Sequence, residues 1–331
     1  MKRRYPFSRW MAYSLLGIFL NLGAMPLYAA NSIECVLAAG GELFIPGLGY
    51  AILGHFDKMF VLGGLRWATI NKYASFSASK DFEKDPENIY LVQKKEDGTK
   101  TTDVFLSRET FYADVYGSLY TNLTFVTFYD LYDEACEPNQ DTYVEMLAPF
   151  NIGHWGGSLK FWIPTGVVAL AASGYPQTTY HIDEDLTQDE MLRWSFLQFQ
   201  LVGIGEEMLF RGVIQNSLFH LLSNPFSKGF ARWSSIVLGA SIFAVAHNGE
   251  GFSANPQGAF VGGILLGWIY HPAEGDFDLE TAIAVHSWWD TILMQQNLSK
   301  SKFVSRKPGE NAKNTQTASA YIPLFYYATR F

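Results

Sequence analysis

The sequence predicts an all-α fold: a polytopic bundle of transmembrane helices, with an N-terminal signal or anchor and a helical, amphipathic N-terminal region. Three observations predict it. The 331 residues are 48% hydrophobic and only 17% charged, where a soluble domain carries about 25% charged residues. The mean hydropathy is nevertheless close to zero, so apolar spans must be mixed with polar segments. Long stretches without any Asp, Glu, Lys or Arg recur between residues 161 and 299.

The elements follow in order. Lys2, Arg3, Arg4 and Arg9 precede an uncharged run from Trp10 to Ile33, with small residues at Ala29 and Ala30. A basic, then apolar, then small-residue order marks a secretory signal. The same pattern suits an uncleaved first membrane helix with its basic end in the cytoplasm. Residues 1–30 are therefore expected to be a signal peptide or membrane anchor.

Residues 31–145 form an accessory region. Around Pro46-Gly47-Leu48-Gly49, residues 40–70 are expected to make a short hairpin in or on the membrane, with His55 at the interface. Charge clusters at residues 80–85 and 94–97 are solvated. Aromatics from Phe111 to Tyr132 recur at mostly helical spacing and predict one or two amphipathic helices.

Residues 146–300 carry the apolar spans. Residues 161–182, 194–205, 212–227, 233–249 and 251–273 lack Asp, Glu, Lys and Arg, and residues 281–299 hold one acid, Asp290. A bilayer core needs about 20 apolar residues per helix. Five helices are expected near 150–174, 192–222, 232–248, 257–271 and 280–297. Asn224-Pro225, Asn255-Pro256 and His271-Pro272 separate several of them, because proline disfavours helix at the preceding residue. Residues 301–331 form a tail that is polar up to Tyr321.

Composition excludes several classes. The net charge of −8, with no basic stripe, argues against nucleic acid as a partner. Two cysteines, Cys35 and Cys136, are too few for a disulfide scaffold or a cysteine zinc cluster. They are either one bridge or two ordinary thiols.

The informative residues are ionisable groups within the apolar spans. Such groups cost at least a few kcal/mol each at membrane depth and persist when paired or when they line a watery cavity. Glu206, Glu207 and Arg211 lie in Gly205-Glu-Glu-Met-Leu-Phe-Arg-Gly212. Glu207 and Arg211 are four apart and can pair on one face. Glu206 points about 100° away and has no partner in its own helix. Phe243 and His247 share a face at the end of an apolar helix, and His286 and Asp290 share one within another. A carboxylate beside a histidine suits activation of water, and a second histidine, oriented by Asp290, suits an oxyanion site. The set is expected to hydrolyse an amide within or beside the bilayer. Glu206, His247 and His286 could instead hold zinc, although no His-Glu-x-x-His signature is present.

The three motifs Glu-Glu-x-x-x-Arg, Phe-x-x-x-His and His-x-x-x-Asp, on successive apolar helices, resemble the CPBP family. That family includes the CAAX prenyl endopeptidases and bacterial bacteriocin-processing and self-immunity (Abi) proteins. The resemblance covers roughly residues 150–300. It implies a glutamic-type intramembrane endopeptidase, once described as a metalloendopeptidase, acting in CAAX-box or bacteriocin processing. Glu206 and His247 would activate water, and His286 and Asp290 would form the oxyanion side. Glu207, Arg211 and Phe243 would shape the site or hold substrate. No cofactor is required in this reading, and the partners are a peptide or protein substrate and the lipid bilayer. The basic N-terminus fits a bacterial inner membrane. Position 290 departs from the prenyl-protease branch, which has Asn there, and an ionised Asp cannot donate to an oxyanion. The alternatives are a catalytically inactive, immunity-type scaffold and a metal-dependent membrane hydrolase.

Overall fold

The structure, a computed structural model, describes residues 32–84, 89–94, 100–136, 142–174, 178–247, 256–306 and 310. The signal or anchor expected at 1–30 and most of the tail lie outside the described residues, as do the side chains of Cys35 and Cys136. The fold is mostly helical.

Helices α1 (Ser32–Phe44) and α2 (Leu48–Leu53) meet at a turn on Gly47, whose φ of 88° is left-handed. Glycine adopts that conformation without steric cost. The turn is tied from beneath. The buried Glu42 carboxylate accepts from the Gly47 amide at 2.9 Å and the Gly49 amide at 3.0 Å. It also accepts from Arg66 at 2.5 Å. A short helix α3 (Phe56–Lys58) widens into a π turn at Met59–Gly63 and continues as α4 (Gly64–Ser77). The expected hairpin is thus helical. It leaves Phe44, Ile45, Phe56, Phe60 and Val61 exposed.

Strands β1 (Tyr90–Lys94) and β2 (Lys100–Leu106) precede a long helix, α5 (Arg108–Cys136). Short helices α6 (Thr142–Met146) and α7 (Ile152–Trp155) lead to α8 (Leu159–Ser173). Strand β3 (Thr178–Ile182) enters α9 (Gln188–Glu207). Thr187 and Glu190 start α9 with a reciprocal capping box, which satisfies two otherwise unpaired amide donors. The chain then widens into an eight-residue π segment, Met208–Gln215, and narrows again into α10 (Asn216–Ser223). Helices α11 (Lys228–Ala246), α12 (Pro256–Tyr270) and α13 (Leu279–Lys300) complete the bundle, and β4 (Lys302–Ser305) follows.

The spans expected near 192–222, 232–248, 257–271 and 280–297 correspond to α9 to α10, α11, α12 and α13. The span expected near 150–174 starts later, at Leu159. Ser158 caps it by accepting from the Lys160 amide, and the residues before it form short turns.

The four-stranded sheet was not expected from the sequence. Its order is β1-β2-β3-β4, with β1 and β2 antiparallel and both other pairings parallel. β2 leads into α5, β3 joins α8 to α9, and β4 leaves α13, so the sheet caps one end of the bundle. Strands this short carry little local signal, and parallel partners far apart in sequence leave no hairpin turn to read.

Only α11, among the described residues, is both long and apolar enough to cross a membrane. α8 and most of α12 are shorter apolar helices. α8 presents Leu159, Ile163, Val167 and Leu170 outward, Leu170 being 75% exposed.

The core places α9 against α13, with α5 behind α9 and the π segment. Arg232 of α11 donates to the His271 carbonyl at 2.7 Å, which fixes the turn after α12. The His271 ring is fully buried, stacks on Phe277 at 4.3 Å, and has no partner on either nitrogen among the described residues. Burial, and then the Arg232 cation, push its pKa down from 6.5 to about 4. The unfolded chain therefore binds a proton that the folded chain resists. Stability contributed by the neutral ring is complete above pH 6.5 and lost progressively as pH falls to about 4. The loss is on the order of 3 kcal/mol. His271→Phe should flatten this part of a denaturation-against-pH profile, and an unchanged slope would contradict the assignment.

Candidate active site

The four candidate catalytic residues come from three helices. Glu206 ends α9, His247 caps α11, and His286 and Asp290 lie in α13. The structure brings them together. The Oε2 atom of Glu206 is 3.4 Å from His247 Nε2 and 3.9 Å from His286 Nε2. Asp290 Oδ2 is 3.4 Å from the same His286 nitrogen. Glu206 is 2% exposed. Its lack of a partner in its own helix, expected from the spacing, is what leaves it facing the two imidazoles.

His247 sits where α11 ends. Its Nδ1 lies 2.6 Å from the Phe243 carbonyl. A carbonyl only accepts, so Nδ1 donates in this contact and Nε2 is the nitrogen that faces Glu206. The Phe243 ring is 4.0 Å from His247 and 6.1 Å from His286, centre to centre. It is also 4.9 Å from the Arg211 guanidinium carbon, a cation–π distance. Phe243 is thus a post around which Arg211 and both imidazoles are arranged.

The expected Glu207–Arg211 pair is present, 3.1 Å apart with both side chains fully buried. It does more than cancel charge. Glu207 Oε1 lies 2.8 Å from His286 Nδ1. This refines the expected role of Asp290, which approaches Nε2. Glu207 holds the ring by Nδ1, a shorter contact with a side chain on the neighbouring helix. Helical spacing shows i to i+4 neighbours within a helix and has no means of showing a contact across helices.

The π segment starts at Met208, directly after the two glutamates. Such wide turns cluster at functional sites. Here Arg211 reaches back to Glu207 and lies 3.5 Å from the Gly263 carbonyl of α12. Gln215, one turn further, donates to the Gly267 carbonyl at 3.0 Å. The polar side chains of the wide turn thereby engage α12.

Close backbone contact sets the depth of α9. A Cβ on Gly205 would lie 2.7 Å from the Asn122 carbonyl of α5, and one on Gly203 would overlap the backbone of Ser287 in α13. Asn122 and Ser287 were not singled out from the sequence. Both are neutral residues in helical runs, which carry none of the cost that marks an ionisable group in an apolar span.

The zinc alternative needs Glu206, His247 and His286 to act together. Among the described residues no group of three His, Cys, Asp or Glu side chains is arranged to hold a metal ion.

Residues 188–292 match a family model described as "Type II CAAX prenyl endopeptidase Rce1-like". The matched segment begins at the first residue of α9 and ends just beyond Asp290, so it contains every residue of the site. No curated protein and no solved structure matches the chain.

Proposed function

From the match over residues 188–292, which supports membership of the CPBP family, we propose that this chain is a polytopic intramembrane endopeptidase in which Glu206 is the general base. A protease of this family acts on a peptide or protein substrate at the membrane. The single observation that carries the finer reading is the approach of Glu206 Oε2 to the Nε2 atoms of both His247 and His286, at 3.4 and 3.9 Å.

Glu206 takes a proton from the attacking water, while the Nε2 lone pair of His247 accepts the water's other hydrogen. The hydroxide adds to the scissile carbonyl. His286 serves the oxyanion. Its Nδ1 is committed to Glu207, so donation to the developing oxyanion comes from Nε2 and requires the imidazolium. Asp290 and Glu206 both face that N–H, and Asp290 supports the charged ring rather than donating itself. Glu206 then returns its proton to the leaving amine, which closes the cycle with no cofactor. Proton transfer of this kind contributes about 10² to 10⁴-fold.

The bilayer reading rests on exposed apolar surface. α11 is long enough to span, α12 packs beside it, and α8, packed on α13, is a further apolar helix. Trp162, Ile163, Val167 and Leu170 of α8, and Phe230, Trp233 and Val237 of α11, face outward. Surface of this kind is stable against lipid and a liability in water.

The test is the purified full chain in detergent, assayed against a peptide library with and without chelator. His247→Ala should lower kcat by about 100-fold, with chelator having no effect. Activity lost to chelator and restored by zinc would replace this mechanism with the metal-dependent one. Tight peptide binding without cleavage by any form would identify an inactive scaffold.

A further inference from the structure

Two buried contacts, both outside the residues assigned chemistry, join α9 to α13 at the level of the site. The Gln200 side-chain amide donates to Thr291 Oγ1 at 2.8 Å. The Ser287 hydroxyl donates to the Gln200 carbonyl at 3.1 Å. Gln200, Ser287 and Thr291 are 3%, 0% and 3% exposed. Ser287 directly follows His286, and Thr291 directly follows Asp290. Gln200 lies six residues before Glu206. About one turn closer to Glu206, the α9 backbone at Gly203 touches Ser287 so closely that a side chain has no room.

We propose that Gln200 and Thr291 are positioning residues that fix the axial register of α13 on α9, and so the separation between the base and the oxyanion histidine. This rests on the proposed roles of Glu206 and His286. The physical case concerns what else could hold that register. Other polar contacts join the two helices on either side, Gln295 to the Leu192 carbonyl at 2.8 Å and Glu207 to His286 Nδ1 at 2.8 Å. The Gln200 tie is the one next to the site that lies outside the residues assigned chemistry; the apolar surface around it resists separation more than sliding. A bidirectional polar tie is directional. One helical residue is 1.5 Å of rise. A slip of a fraction of that would stretch the 3.9 Å gap between Glu206 and His286, and misplacement by about 1 Å costs about 100-fold in rate. Gln200 supplies both halves of the tie, its amide to Thr291 and its carbonyl to Ser287. It is therefore a second point, beside the Glu207 contact to His286, through which α9 holds the pair on α13.

The experiment compares Thr291→Val, Thr291→Ser, Gln200→Leu and the Gln200→Leu/Thr291→Val double variant in the full chain. Thr291→Val keeps shape and removes the hydroxyl. It should lower kcat about tenfold with KM within twofold, whereas Thr291→Ser should keep wild-type kcat. The double variant should be no slower than its slower parent, since both changes remove one bond. Wild-type kcat in Thr291→Val, or a rise in KM alone, overturns the proposal. So does equal loss in Thr291→Ser and Thr291→Val. Glu206→Gln is run alongside: if that variant cleaves normally, the catalytic reading fails first, and the two failures are told apart.

Discussion

Glu206→Gln should lower kcat for peptide cleavage by about 10³-fold while the protein folds and binds peptide as before. The substitution keeps the shape of the side chain and removes only its ability to take a proton. Two geometric facts make the expectation sharp. Glu206 is nearly buried, so bulk water offers no alternative base at that position. It also makes no ion pair with Arg211, whose nearest carboxylate is Glu207, so removing its charge leaves the buried cation paired. Thermal unfolding in detergent should move little, and the split between intact fold and lost turnover is the measurement. Activity within tenfold of wild type would transfer the base role elsewhere. The adjacent Glu207→Gln should behave differently, because that carboxylate holds both Arg211 and His286 Nδ1. It should lose stability together with activity.

Arg211→Met should cost about 3–5 kcal/mol of unfolding free energy. Arg211 and Glu207 are both at 0% exposure, and deleting the cation leaves the carboxylate held by His286 alone among the described residues, with its excess charge stranded in a medium that solvates it poorly. The cation–π contact with Phe243 is lost as well. Placing Glu207→Gln on the same chain should restore part of the stability, since a neutral amide in place of the carboxylate removes the stranded charge. Denaturation of both variants in detergent checks this. If the double variant is as unstable as Arg211→Met alone, the loss comes from packing around the guanidinium and not from the stranded charge. Activity should stay low in the double variant, because an amide is a weaker hold on His286 Nδ1 than a carboxylate.

The helical spans were legible because uncharged stretches of this length have few alternatives to a buried or lipid-facing helix. Their ends were legible where proline marked them, as at Asn224-Pro225 and His271-Pro272, whereas the start of α9 lies at the Thr187–Glu190 capping pair, ahead of the expected start near residue 192. The four catalytic candidates stood out because ionisable residues within apolar runs need a reason to be there. Neutral polar residues carry no such mark. Gln200, Ser287, Thr291 and Asn122 each look like ordinary helix residues, and only their partners on other helices show what they hold.

By itself the sequence determined which segments are apolar helices, that Glu207 and Arg211 share a face, and that Glu206 does not join them. Those are consequences of composition and of 3.6 residues per turn. Only the tertiary structure decided that Glu206 faces His247 and His286 together, that Glu207 holds Nδ1 of His286, and that four short strands cap the bundle. Apart from the antiparallel β1–β2 pairing, each of these is a contact between residues 41 to 123 apart in the chain, from Glu206 and His247 to Thr179 and Lys302. Local periodicity constrains the direction a side chain takes from its own helix axis. It carries no information about which other helix is packed opposite, and that packing is where the chemistry of this site is assembled.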